Sequence, residues 1–205
     1  MPQSTQENAM ELEEISPISP LQFFSFSYPI PFAKKLPEKG LFTEPYILPC
    51  MAEFLGENAF ADVATCWNEK GLELAIKTQA KRKEGDQVEL FIDTRDRKEL
   101  GFINRYCHHF LFTTIGEEIT KLRADQTRDL ASPNSLHLTI EENKTKIFIE
   151  SEALFGYNPK EMARIGFTYI IKNGEKLQHF AVSSKDYAVA SHPSLWATLT
   201  LEEKS

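Results

Sequence analysis

Residues 86–112, "DQVELFIDTRDRKELGFINRYCHHFLF", place acids, arginines, a cysteine and two histidines that could do chemistry close together in sequence. Carboxylates at Glu89, Asp93 and Asp96 stand close in sequence to guanidinium groups at Arg95 and Arg105 and to the imidazoles of His108 and His109. Charged donors and acceptors mixed in this way could bind a ligand at the sheet rim through charge-assisted hydrogen bonds. They suit turn formation equally well, because an aspartate can accept from backbone N–H groups just ahead of it and pair with arginine. Cys107 and His109 raise a third chemistry. Two residues apart on a strand, they point to one side about 6.5 to 7 Å apart along the backbone, a separation two ligands of one zinc could use. A third ligand would come from a neighbouring strand, and no spacing in the sequence names it. Cys107 reads equally as a small buried hydrophobe, and His108 as a partnered core histidine or a ring in a concave face.

The elements that must position these groups follow a period of two. "QVELFIDT" sets Val88, Leu90 and Ile92 against Glu89, Phe91 and Asp93. "RYCHHFLF" sets Tyr106, His108, Phe110 and Phe112 against Arg105, Cys107, His109 and Leu111. "ADVATCW" and "LELAIKTQ" form a hairpin in which Gly71 is expected to supply the left-handed turn position. "LHLTIEENKTKIFIE" turns around Asn143, "GFTYIIKNGEKLQHFAV" turns at an Asn-Gly pair, and "LWATLTL" closes the set. "LQFFSFSYPIPF", with aromatic and β-branched residues between prolines, reads as an edge strand. Two segments are expected as short helices: "PYILPCMAEFLG", and "NPKEMARI" with Asn158 as N-cap before Pro159. The expected fold is therefore all-β, an antiparallel β-sandwich of jelly-roll type with one or two short helices. It occupies residues 21–205 as a single domain behind a polar, acidic, disordered tail at residues 1–20. Folds that need a helix after nearly every strand are excluded.

Composition narrows function by exclusion. A chain of 205 residues with 41% hydrophobic and 26% charged content and a formal charge of -7 lacks the clustered basic surface that nucleic acid requires. Lys81, Arg82 and Lys83 are its one basic run, read as a solvated loop. No stretch approaches the roughly 20 apolar residues of a membrane helix, and the N-terminus has no secretory signal pattern. The expected location is cytoplasmic. Cys50, Cys66 and Cys107 are odd in number and irregular in spacing, and are expected as free thiols. Nucleophile-elbow, zinc-protease and P-loop motifs are missing, so a non-catalytic role is preferred and no cofactor is expected.

At "GDQVELFIDTRDRK", "IFIESEALFGYNPKEMARIGFTYII" and "SLWATLTL" the chain resembles the family 9 carbohydrate-binding modules and the DOMON-like sandwiches, with the likeness running over residues 53–201. The pair "DTRD" and "RYCHHF" resembles a group of bacterial proteins. The resemblance implies a sugar-binding type of sandwich, in which aromatic rings hold a pyranose face while carboxylates, amides and an arginine bind its hydroxyls. Haem-carrying DOMON proteins use methionine and histidine ligands, and no such pair suggests itself around Met51 or Met162. The expected ligand is a carbohydrate or similar polyhydroxylated molecule, in a groove lined by Trp67, Glu89, Asp93, Arg95, Arg105, His108 and His109. Trp67, at a strand end before a turn, is the stacking platform. Trp196, on the face opposite Leu195, Ala197 and Leu199, is a second candidate or a core residue. Two other readings stay open. One is a protein–protein interaction module without a small-molecule ligand, recruiting through its sandwich edge or tail. The other is a metal-binding protein or metal-dependent enzyme using Cys107 and His109.

Overall fold

The structure, a computed structural model, describes residues 26–98, 103–113, 118–120, 132–185 and 187–203. The expected tail at residues 1–20 lies outside them, as do residues 21–25 of the expected edge strand. Among the described residues there are eleven strands: β1 (Ser27–Ile30), β2 (Ala61–Asn68), β3 (Gly71–Thr78), β4 (Gln87–Asp93), β5 (Cys107–Thr113), β6 (Glu118–Thr120), β7 (Leu136–Glu141), β8 (Lys144–Glu150), β9 (Arg164–Asn173), β10 (Lys176–His179) and β11 (Ala197–Leu201). They form a β-sandwich. The larger sheet runs β1-β11-β9-β4-β5-β6, with β10 also paired to β9, and the four-stranded sheet runs β2-β3-β8-β7. Every pairing is antiparallel except that of β1 with β11, which is parallel.

The alternating apolar rows meet between the sheets. From the larger sheet come Val88, Leu90, Ile92, Phe110, Phe112, Ile165, Phe167, Tyr169 and Ile171; Leu72, Leu74, Ile76, Ile147 and Ile149 come from the smaller, all at most 2% exposed. Burying side chains of this kind is worth about 1.5–3 kcal/mol each relative to exposure, which is what holds the register. A one-residue slip would carry the whole row out of the core.

Several turns depart from expectation in detail. The β2–β3 loop is Glu69-Lys70, because Asn68 pairs with Gly71. Gly71 opens β3 at φ 147°, where an added Cβ would lie 2.0 Å from the Ile149 carbonyl oxygen. The glycine thus permits close strand approach instead of making the turn. Likewise Asn173 pairs with Lys176, so Gly174 and Glu175 form the tip of the third hairpin, with Gly174 at φ 62°. Neither expected helix exists. Residues 52–56 are consecutive turns, and around Asn158 the chain makes one turn closed by the Met162 N–H on the Asn158 carbonyl. Pro49 interrupts the first segment, and the second is too short for the costly helical nucleus to be repaid. The helical pieces described are 3-10 turns at Pro133–Ser135, Ser151–Ala153, Val189–Ser191 and Pro193–Leu195. Among the described residues no helix is long and apolar enough to cross a membrane.

Both sandwich faces carry covers. Leu36 and Leu41 pack on Ala64, Cys66 and Ala75 over the outer side of the smaller sheet. The buried Glu73 carboxylate there accepts the Leu36 N–H at 2.9 Å. At one sandwich edge the chain passes from β1 in one sheet to a bridge between Phe32 and Trp67 in the other. The Trp67 indole N–H donates to the Glu202 carbonyl at 3.0 Å, tying this corner to the end of β11.

Candidate functional site

The seven expected site residues do not line one groove. Strand register explains the separation. Ile92 pairs with His108, which turns His108 toward the core side of β5 with Phe110 and Phe112. His108 is 2% exposed, and its Nε2 lies 3.4 Å from the Phe155 carbonyl oxygen. His109 pairs with Phe91 and faces the other way. Its ring stacks on Phe91 at 4.3 Å, and its Nε2 meets Glu89 Oε2 at 2.6 Å. Trp196, just before β11, packs against Phe91 at 5.8 Å, with its indole N–H donating to the Val189 carbonyl. The void left beside Phe91, Cys107, His109 and Trp196 is about 10 Å³, scarcely one water molecule. This polar side of β4 and β5 is therefore filled by protein and not open as a groove.

Asp93 takes the capping role. Buried at 1% exposure, it accepts the Arg95 N–H at 3.0 Å and the Arg97 N–H at 2.8 Å. Burial raises its pKa above the ordinary carboxylate value, against the lowering effect of the two N–H donors. Asp96, at φ 44°, accepts the Thr198 hydroxyl and pairs with Lys98 Nζ at 2.9 Å. The "DTRD" carboxylates thus tie the end of β4 to its own turn and to β11. Cys107 pairs with Asp93 in register and is buried. Among the described residues no group of three His, Cys, Asp or Glu side chains is gathered to hold a metal.

What the structure does bring together is Arg95, Arg105 and an aromatic rim at the β4–β5 end of the sandwich. The bend after β8 turns at Gly156, φ 79°, where an added Cβ would sit 2.6 Å from the Tyr106 ring. Glycine lets the bend lie flat on tyrosine. Thr94 Oγ1 holds the bend by donating to the Phe155 carbonyl at 2.7 Å. The Phe155 and Tyr106 rings lie 5.5 Å apart, with Phe155 45% exposed. The Arg105 guanidinium is 5.1 Å from the Tyr106 centroid and 5.3 Å from that of Phe155, and Arg95 is 5.4 Å from Tyr106. These are cation–π distances. Arg105 Nη2 also donates to the Tyr106 hydroxyl at 2.9 Å, and this bond draws the phenol pKa below its usual value. Arg95 reaches Glu161 at 3.6 Å.

Trp67 belongs to the far side of the same bend. With Phe32 edge-on at 5.1 Å, it borders an open cleft of about 310 Å³ that Glu69, Pro159, Lys160 and Glu203 complete. Trp67 itself is only 6% exposed; Phe32 contributes the more accessible ring. A wider cleft of about 380 Å³, lined by Cys50, Asp62, Lys77, Gln79 and Asn143 among others, lies at the opposite end of β2 and contains none of the expected site residues.

The Phe155 and Tyr106 rings at the rim and the Phe32 ring at the cleft are not singled out by the sequence reading. The signal available was the "FGYNP" bend, where aromatic residues flank a glycine in a loop and so are candidates for exposure.

The fold defined by this geometry is a β-sandwich of the carbohydrate-binding-module type. In particular, the chain superimposes on a family 9 carbohydrate-binding module from Caldicellulosiruptor kristjanssonii, solved in complex with cellotriose, with a TM-score of 0.63. The match covers 87% of this chain and 95% of that one at 11% sequence identity. Comparison with protein-family models and with curated proteins finds no match.

Proposed function

We propose that this protein binds a saccharide non-catalytically at the rim formed by the Phe155–Tyr106 pair, with Arg95, Arg105 and Glu161 reading hydroxyl groups. The observation that carries the reading is the half-exposed Phe155 ring beside the Arg105 guanidinium, with Arg95 over the neighbouring Tyr106 ring and Glu161 paired to Arg95. A pyranose presents an apolar face that an aromatic ring covers and a polar edge that charged groups bind. The cleft at Phe32, Lys160 and Glu203 is a second aromatic-bordered opening, lined in part by Pro159 and Lys160 from the segment that follows the bend. The sandwich shared with a module solved with cellotriose supports the same reading. Of the residues expected from sequence, Arg95 and Arg105 stand at the rim and Trp67 backs the adjoining cleft.

The test is calorimetric titration with cello- and xylo-oligosaccharides and a glycan array. Affinity in the micromolar to millimolar range is expected, because sugar hydroxyls largely exchange water contacts for protein contacts. Phe155→Ala and Arg105→Ala should each weaken binding at least about tenfold, about 1.4 kcal/mol, while leaving the far-UV spectrum intact. Absence of binding to any glycan at millimolar concentration would overturn the proposal and favour the protein-interaction reading.

A further inference from the structure

At the end of the sandwich away from the rim, Glu57, His179 and Ser184 are linked in a chain of short hydrogen bonds. His179 closes β10 opposite Ile170 of β9 and is fully buried. Its Nδ1 lies 2.6 Å from Glu57 Oε1, and its Nε2 lies 2.7 Å from Ser184 Oγ. Glu57 comes from the loop before β2 and is itself buried, 2% exposed in its side chain. Its oxygens also accept the His179 backbone N–H at 2.9 Å and the Ser183 hydroxyl at 3.2 Å. With Glu57 accepting, Nδ1 carries the hydrogen, and the Nε2 lone pair faces the Ser184 hydroxyl. Ser184 is exposed. The chain returns to His179 through Ala181, held at φ 74°, a conformation that residues other than glycine seldom adopt and that the surroundings must enforce.

From this geometry we infer that Ser184, His179 and Glu57 form a nucleophilic triad able to hydrolyse short acyl esters. Nucleophile, base and orienting acid each stand within hydrogen-bond reach of the next, the arrangement that defines such triads on unrelated folds. In the first half-reaction Ser184 Oγ bonds to the acyl carbon while its proton passes to Nε2. Collapse of the tetrahedral anion breaks the bond to the alcohol oxygen, which leaves with that proton. In the second, water adds to the acyl-serine, giving a proton to Nε2. The acid then departs as Oγ recovers the proton, so ester and water become acid and alcohol with no further reactant. An open cleft of about 230 Å³ adjoins, lined by Gly56, Glu57, Asn58, Lys176 and Lys185 among others. That volume admits a short acyl group; Glu57 of the triad and Lys185, the chain neighbour of Ser184, stand on the cleft wall, and the Glu175 carboxylate lines it too. Burial lowers the His179 pKa most strongly; Glu57 and Glu89 act in the opposite sense, and Lys185 adds to the lowering. The base therefore stays unprotonated at neutral pH.

The test uses the full chain with a fluorophosphonate probe and with p-nitrophenyl acetate. The probe should add covalently at Ser184, located by mass spectrometry of the peptide, and Ser184→Ala, a change at an exposed position, should abolish both adduct and turnover. Glu57→Gln should slow labelling at least about 100-fold. The wild-type labelling rate should fall on acidification only through a pKa below 6.5, a profile readable even if the Glu57 variant does not fold. No adduct at millimolar probe, or an adduct that persists in Ser184→Ala, would overturn the triad and leave a purely structural hydrogen-bond chain.

Discussion

His108 and His109 show how much one position on a strand decides. Both are buried imidazoles, yet one faces the core beside Phe110 at 6.0 Å and the other lies on Phe91 under the Trp196 segment. Neighbours in a strand point to opposite faces, so no single site on one face could use both. The cysteines divide by environment in the same way. Cys50 is exposed, Cys66 and Cys107 are buried, and none is in a disulfide. Burial, with a smaller contribution from Glu73, pushes the Cys66 thiol up to about 12. Because the thiolate is the reactive form, Ellman titration of the native protein at pH 8 should find one fast thiol, and three after denaturation. Two fast native thiols would contradict the packing around Cys66 or Cys107.

Among the elements, β10 joins the two sheets through one side chain. Gln178, fully buried, accepts the N–H groups of Phe60 and Ala61 at 2.8 and 2.9 Å and donates to the Ala61 carbonyl at 2.8 Å. These bonds fasten the edge of the larger sheet to the first residue of β2 in the smaller. Gln178→Leu keeps the volume roughly but strands three buried backbone groups, each costing about 1–3 kcal/mol. Urea denaturation should show a loss on the order of 3 kcal/mol or more, and a loss under 1 kcal/mol would mean that water replaces the amide. Asp93 has a local task at the end of β4, where its carboxylate accepts two N–H groups of the following turn. Site and scaffold therefore share residues there: the same turn that caps a strand aims Arg95 at Tyr106.

At the scale of the whole molecule, a buried His179 makes stability depend on pH. Its folded pKa lies below the 6.5 of a solvated imidazole, chiefly through burial. Below that value the unfolded chain takes up a proton that the folded chain resists, so acidification favours unfolding; above it both forms are neutral and the contribution is constant. Urea midpoints should hold level from pH 8 to about 6.5 and decline toward pH 5.5, with a shallower decline in His179→Asn. Asp93 acts in the opposite sense: burial raises its folded pKa above 3.8, so acidification through that raised value relieves the cost of its buried charge and favours the folded chain. An equal decline in wild type and His179→Asn would assign the pH dependence to other groups.

The all-β class, the three hairpins and the closing strand were legible in the sequence because period-two patterning and turn residues are local signals. So were the inward rows of β4 and β5, and the segregation of Arg95 and Arg105 from the apolar core. What the tertiary structure alone decided was which polar faces stay open. The side of β4 bearing Glu89 looks like a groove in one dimension, but the chain around Val189–Ser191 and Trp196 returns from about 100 residues away and fills it. Long-range closure also joins Glu57 to His179 across 122 positions, whereas His179 and Ser184 lie only five apart. Phe155, written in the sequence as one more aromatic residue, becomes half exposed because Gly156 packs against Tyr106 and turns the bend outward. Alternation tells which side of its own strand a residue occupies; only the packing of distant segments determines whether that side meets water, a ligand or more protein.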